Sequence, residues 1–250
     1  MDILIVANKA AATSNTPPKN LISLFLNSNV NDAKDTSFES ETHLVRDTIV
    51  NFIFAGKDTT SQSMSFFIVM MNRYPNVLVK IREELRAKLL GLMHASEELT
   101  YLEAAIRENL RLNPSVPWDS RQANAGTVLS DGTPIAKGTR MGLAVYTAGR
   151  KTSIWGEDAL EFKPERWINA ATGKLTAVSP FRFASFFAGS HQCIGMKFAM
   201  MEMKTTLAVL LSRFDLNTVE NPWDITYEAA ITISVKGPLM VNVTSLTSPT

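Results

Sequence analysis

The chain has 250 residues, 45% of them hydrophobic, with 25 basic side chains against 24 acidic ones. That length can bury a sizeable core in one large or two small domains, and the near-neutral balance gives no reason to expect nucleic acid or an acidic partner across the surface. The single cysteine excludes an intrachain disulfide, which fits a reducing compartment.

Residues 1–40 are linker-rich and expected to be partly disordered: 8–20 and 27–40 are polar and turn-forming around a short apolar helix, Leu21 to Leu26. Ile3-Leu4-Ile5-Val6 is too short for a signal-peptide core, and no uncharged stretch reaches the ~18 residues of a membrane span. From Glu41 to Arg73 the pattern predicts one long helix, ended by Pro75. Its charges at Arg46, Asp47, Lys57 and Asp58 argue against a transmembrane role. Residues 76–90 and 100–112 read as amphipathic helices, after which Pro114 and Pro117 break the run. Residues 126–146 read as β, with a turn at Asp131-Gly132 and a strand from Met141 through Tyr146. A loop follows Pro164, then a helix from Ile194 to Arg213. Ile231–Val235 and Leu239–Val243 read as a closing hairpin joined through Lys236-Gly237-Pro238. No internal repeat is evident.

The most informative segment is Phe186-Phe187-Ala188-Gly189-Ser190-His191-Gln192-Cys193-Ile194-Gly195, which sets Cys193 between two glycines just ahead of an apolar helical run. Gly189 permits a tight turn and Gly195 lets a flat cofactor lie against the backbone. The start of the following helix favours an ionised sulfur. One soft anionic donor with no His or Cys partner nearby argues against zinc, which takes about four ligands, and suits haem iron with a single axial thiolate. A lone cysteine is also compatible with an inert core residue; the F-x-x-G-x-x-x-C-x-G spacing favours the ligand.

Two further patterns carry chemistry. In the long helix, Ala55-Gly56-Lys57-Asp58-Thr59-Thr60 has two small residues that let a diatomic approach. A threonine hydroxyl there can bond the carbonyl of Ala55 and loosen the ladder, and the neighbouring acid can relay protons; a close helix-packing point is the alternative. Glu-x-x-Arg occurs twice, at Glu83…Arg86 and Glu108…Arg111, because such i,i+3 pairs are ordinary on helices.

The cysteine segment resembles the haem-binding loop of the cytochrome P-450 family, the haem-thiolate monooxygenases. The small-residue helix, the Glu-x-x-Arg helix and Pro164-Glu165-Arg166-Trp167 precede it in that family's order. The resemblance runs from about Leu21 to the C-terminus. It implies a mainly α fold with small β-sheets, the C-terminal portion of the P-450 fold, with residues 41–250 binding haem b. It makes Cys193 the axial ligand of the haem iron, sets Phe186, Gly189, His191 and Gly195 around the cofactor, and assigns Ala55 and Gly56 to an oxygen groove, with Asp58 and Thr59 as proton relay. The sequel Leu112-Asn113-Pro114-Ser115-Val116-Pro117 singles out Glu108 and Arg111, which the family joins to Arg166 in a buried charge triad; Glu83 and Arg86 are then expected in solvent. Arg121 falls where the family commonly binds a haem propionate, with an ordinary surface arginine as the alternative. His191 stands where many relatives have arginine and Ser190 where eukaryotic ones often have proline; His191 can still donate to a propionate.

Val116, Pro117, Trp118 and the Ala230–Thr232 segment, including Ile231, are expected to line an apolar pocket. Met196, Met200, Met201 and Met203 read as adaptable core filler. Lys197 and Lys204 read as a basic patch for an acidic electron-transfer partner, or equally as a solvated face. The implied activity is insertion of one oxygen atom of O2 into a C–H bond, with electrons from an NADPH-dependent flavoprotein reductase. Ser153 to Asp158 and Leu160 to Trp167 look like the eukaryotic fatty-acid omega-hydroxylase branch, which suggests a fatty acid or other lipid substrate. The resemblance also implies the endoplasmic reticulum membrane, although no anchor is legible in this chain. Because only the family's C-terminal portion is spanned, a truncated haem- or partner-binding fragment without turnover is the rival. A cysteine hydrolase using Cys193 and His191 lacks an evident orienting third residue.

Overall fold

A computed structural model describes residues 38–88 and 99–246. The expected Leu21–Leu26 helix lies outside them. The chain divides after Asp58 into two units. The first is represented by the N-terminal stretch of helix α1 (Phe38–Arg73), in which Val45 and Ile49 are buried.

The second unit begins within α1, whose end is fixed by side chains. Asn72 donates to the Leu216 carbonyl at 2.9 Å and Arg73 to those of Pro222 and Ile225 at 2.8 and 2.9 Å. Pro75 then opens α2 (Pro75–Lys88), a position where its missing N–H costs nothing. Val77, Ile81 and Leu85 recur every four residues and form the buried stripe of α2. The next helix, α3 (Thr100–Leu112), has no side-chain cap of its own at Leu99. Glu84 of α2 supplies one, accepting from the Tyr101 and Leu102 amides at 2.8 and 2.9 Å. A carboxylate there satisfies orphan donors and complements the helix dipole.

Small antiparallel pairs follow. β1 (Asp119–Gln122) pairs with β4 (Arg140–Leu143), and β2 (Thr127–Val128) with β3 (Pro134–Ile135). Two short helices, α4 (Val145–Ala148) and α5 (Thr152–Trp155), and 3-10 turns at Pro164–Trp167, Ala184–Phe186 and Gly189–His191 lead to α6 (Met196–Arg213). Arg82 caps the end of α6, donating to the Leu211 and Phe214 carbonyls at 3.3 and 3.1 Å and to Asp215 at 2.9 Å. The core of the second unit is built from Phe67 and Met71 of α1, Ile81 of α2, Leu102 and Ile106 of α3, and Leu207 and Leu211 of α6. Trp155, Trp167, Ala104 and Ala159 form a second cluster.

Two sequence expectations need correction. The strand expected through Tyr146 ends at Leu143, because the Ala148 and Gly149 amides fold back onto the Ala144 and Val145 carbonyls, both at 2.9 Å, and make α4. The expected closing hairpin is absent. β7 (Ile233–Val235) pairs backward with β6 (Tyr227–Ala229), and β8 (Val241–Ser245) pairs with β5 (Phe214–Thr218). The Lys236 amide prolongs the β6–β7 ladder onto Thr226 at 3.0 Å, and Gly237 then turns away at φ 73°. Pro238 has no N–H with which to continue any ladder.

Candidate functional site

The cysteine loop is fastened to α3 before it turns. Ser185 Oγ donates to the Leu110 carbonyl at 2.8 Å, and Phe186 packs against the main core. Phe187 then adopts φ 57° and Gly189 φ 66°. A left-handed phenylalanine costs ~1–3 kcal/mol and persists only where its surroundings impose it. The loop closes as the Cys193 amide donates to the Phe186 carbonyl at 2.8 Å and the Gln192 amide to Gly189 at 3.1 Å. Cys193 therefore emerges exposed, just before the first turn of the 18-residue α6. The positive end of that helix favours a thiolate.

The exposed residues flanking the thiol in the chain are mixed, Ser190, His191, Gln192 and Lys197 beside Ile194 and Phe198. Ile194 is 85% and Phe198 66% exposed, and a side chain built at Gly189 would meet nothing within 4 Å. No cluster of His, Cys, Asp or Glu among the described residues could hold a metal ion. One exposed soft donor at a helix start, with no such cluster around it, suits a cofactor that takes a single protein thiolate better than a zinc site, which takes about four ligands.

The other expected site residues are placed as follows. Ala55, Gly56 and Asp58 are exposed on α1, and a side chain at Gly56 would meet nothing within 4 Å. Thr59 is half-buried, and its carbonyl accepts hydrogen bonds from the hydroxyls of Ser63 and Ser115, each at 2.8 Å. Arg121, on β1, is exposed and paired with Asp119, and it also donates to the Ser120 carbonyl at 2.9 Å. His191 is exposed at the end of its 3-10 turn.

Val116 and Pro117 are half-buried, whereas Trp118 and Ile231 are exposed. Their two segments meet side by side, because the Ile233 amide donates to the Ser115 carbonyl at 2.8 Å. The Tyr146 amide holds the Pro117 carbonyl at 3.1 Å. The Trp118 ring lies over Gly142 of β4 so closely that a Cβ there would fall 1.8 Å from Cη2.

Glu108, Arg111 and Arg166 come together. Glu108 and Arg111 are 0% and 1% exposed and form a two-pronged pair, Nε–Oε2 at 2.7 Å and Nη2–Oε1 at 2.8 Å. Bidentate geometry and low dielectric make such a pair strong once formed. Arg166 approaches Glu108 Oε1 at 3.4 Å, the Lys163 amide donates to the same oxygen at 2.9 Å, and Trp167 Nε1 donates to Oε2 at 2.9 Å. Arg111 also donates to the carbonyls of Gly149, Ala159 and Glu161, so its charge is covered on every side. Glu83 and Arg86, the other Glu-x-x-Arg pair, are exposed.

Sequence reasoning missed five participants. Asp158 holds Arg166 through Oδ1 at 2.9 Å; hydrogen bonds from Arg166 and then Lys163 bring its carboxyl down to about 2. Gly149 accepts from Arg111, and its own α-carbon faces the Arg111 carbonyl. Ser63 and Ser115 face each other at 2.7 Å, and Asn109 donates to the Ser63 carbonyl at 2.9 Å. Only Ser115, the polar residue in an otherwise apolar run after Pro114, offered a signal. The basic-patch reading is corrected at Lys204, which is 8% exposed and bound to Glu103 at 2.7 Å. Burial pushes Glu103 up, but hydrogen bonds from Lys204 and Arg107 outweigh it and hold the carboxylate below its usual range. Lys197 is exposed.

The description "Cytochrome P450" belongs to the family model that matches residues 1–241. The chain belongs to the cytochrome P450 family. Membership implies haem binding. Among curated P450 relatives, Cytochrome P450 CYP94D109 of Paris polyphylla is 35% identical over 235 residues, which is 90% of this chain and 45% of the relative. Cytochrome P450 86B1 of Arabidopsis thaliana is 35% identical over 244 residues, 91% of this chain and 42% of that protein. Alkane hydroxylase MAH1 of the same plant is 34% identical over 176 residues, 70% of this chain and 35% of its own length. The chain thus spans less than half the length of these P450 relatives. Among its described residues no helix is long and apolar enough to cross a membrane.

Proposed function

We propose that the protein acts as a haem-thiolate monooxygenase on a long apolar substrate, a fatty acid or an alkane-like lipid. The observation that carries this reading is the exposed Cys193 thiol, held by a fastened loop at the head of α6. When bound, haem supplies the activation of dioxygen, with one oxygen atom entering a C–H bond and the other leaving as water at the expense of two electrons and two protons.

The chain's own residues would hold and shape that site. Cys193 would be the residue that holds the iron through its thiolate, with the Phe186–Gly195 loop holding the backbone that carries it. His191 and Arg121 are the candidates to donate to the propionates, Arg121 by exchanging its Asp119 partner. Ala55 and Gly56 leave room on the helix surface, and the Thr59 hydroxyl holds a proton supplied through Asp58. Val116, Pro117, Trp118 and Ile231 offer apolar surface to a hydrocarbon chain. The triad of Glu108, Arg111 and Arg166 acts structurally, keeping α3 and the Pro164–Trp167 turn in register.

The substrate class is supported by the apolar character of the pocket segments and by likeness to a protein named an alkane hydroxylase. Electrons would come from an NADPH-dependent flavoprotein reductase, with exposed Lys197 available to an acidic partner surface. We assign the protein to the endoplasmic reticulum membrane on family resemblance. The test is turnover of a saturated fatty acid or alkane by the haem-loaded protein with reductase and isotopically labelled dioxygen. One labelled atom in an alcohol product is expected. Unlabelled product would contradict dioxygen as the source of the inserted atom, and no product while haem stays bound would favour a haem-binding fragment without turnover.

A further inference from the structure

The Ser63–Ser115 contact lies where the proposed proton relay meets the proposed pocket, and it is not explained by packing. Three short contacts connect three oxygens: Ser63 Oγ to the Thr59 carbonyl at 2.8 Å, Ser115 Oγ to the same carbonyl at 2.8 Å, and the two hydroxyls to each other at 2.7 Å. Two hydroxyl protons cannot fill three such contacts, since each hydroxyl donates once. Either both hydroxyls donate to the carbonyl, or one donates to the other, which then donates to the carbonyl; in both arrangements Ser115 is joined to the Thr59 carbonyl, directly or through Ser63. A chain of this kind polarises its members and fixes their directions. Asn109 of α3 holds the Ser63 carbonyl at 2.9 Å, and Asn113 Nδ2 holds Asn109 Oδ1 at 3.1 Å, so the helical side of the knot is itself immobilised.

The other side of the knot is the pocket segment. Ser115 accepts the Ile233 amide through its carbonyl and immediately precedes Val116, Pro117 and Trp118. The Thr59 carbonyl is an acceptor in the α1 ladder, and a hydroxyl on such a carbonyl draws it out of line. That sets the backbone from which the Thr59 side chain projects.

We propose that Ser115 is a positioning residue: its hydroxyl ties the pocket segment 116–118 to the Thr59 carbonyl, so that the wall which orients the substrate and the threonine which holds the proton keep one fixed relation. This rests on the monooxygenase reading. In this role Ser115 acts through Thr59 and the segment it begins.

The experiment compares the unsubstituted full chain, Ser115→Ala and Ser115→Thr, each haem-loaded. Two readouts are taken: the ratio of hydroxylated product to NADPH consumed, with its regiochemical distribution, and amide hydrogen exchange across residues 59–63. Ser115→Ala should lower the ratio roughly 3–10-fold, as expected for misplacing a proton donor, broaden the product distribution, and speed exchange at 59–63. Ser115→Thr, which retains the hydroxyl, should restore all three. A purely structural serine would lower the melting temperature without changing coupling or regiochemistry, and that result overturns the proposal. Unchanged exchange in Ser115→Ala overturns the tie by itself. No product from the unsubstituted protein overturns the monooxygenase reading, and the role of Ser115 with it.

Discussion

Glu108 gathers four partners, because one buried carboxylate receives Arg111, Arg166, Trp167 and a backbone amide. Removing it leaves the Arg111 guanidinium buried and short of its counter-charge. Glu108→Ala should therefore cost ~3–5 kcal/mol of unfolding free energy, whereas Glu83→Ala, on the exposed face of α2, should stay within ~0.5 kcal/mol. Urea denaturation of the two variants checks this, and equal losses would mean that the wrong Glu-x-x-Arg pair had been chosen. Thr59 is a different kind of residue, half-buried and proposed to act in the chemistry rather than in the core. Thr59→Ala should leave haem content nearly intact while product per NADPH falls and free hydrogen peroxide rises. Asp58→Asn should slow the proton-dependent step by ~10²-fold or more. A fully coupled Thr59→Ala protein would reduce the threonine to helix packing.

At the scale of elements, junctions are stabilised by groups borrowed from elsewhere: Glu84 caps α3 and Arg82 caps α6. The passage after α4 is the tightest. A Cβ on Gly149 would stand 2.1 Å from the Arg111 backbone carbonyl, which has no freedom to move without disturbing the buried pair. Gly149→Ala should destabilise by ~1–3 kcal/mol, as overpacking does, while Gly56→Ala, with open space around it, should cost far less. Thermal unfolding of both variants measures the difference. Asp158 joins α5 to the Pro164–Trp167 turn and makes that junction acid-sensitive. Its carboxyl lies at about 2 when folded, held by Arg166 and then Lys163, against ~3.9 when unfolded. A depressed carboxylate contributes stability that is present above the unfolded value and lost as pH falls through the folded one. Melting temperature should consequently fall between about pH 4 and pH 2 less steeply in Asp158→Asn than in the unsubstituted protein. Parallel curves would remove Asp158 from the acid response.

For the molecule as a whole, local structure was legible and long-range pairing was not. The helices around Phe67, Ile81, Ile106 and Leu207 follow from apolar periodicity and proline punctuation, so their existence and approximate limits could be read directly. The strands 227–245 could not, because Lys236-Gly237-Pro238 serves a hairpin turn and a departure from the sheet equally well in one dimension. Which edge is free depends on β5, which emerges from α6 some twenty residues earlier. The cysteine loop was legible because its constraint is local: glycine, turn and helix start lie within ten residues. Lys204 was misread because helical periodicity does not reveal that Glu103 waits on α3. Ser63 and Asn109 gave no signal, since their partners are brought to them by folding alone.

The assignment to haem-thiolate chemistry turns on the bond between Cys193 and iron. The direct measurement is the absorption spectrum of the haem-loaded protein, reduced and exposed to carbon monoxide, beside that of Cys193→Ala. The strongly red-shifted band that marks an axial thiolate should appear in the unsubstituted protein and vanish in Cys193→Ala. Haem bound without that band in the unsubstituted protein, or a band that survives the substitution, would contradict it.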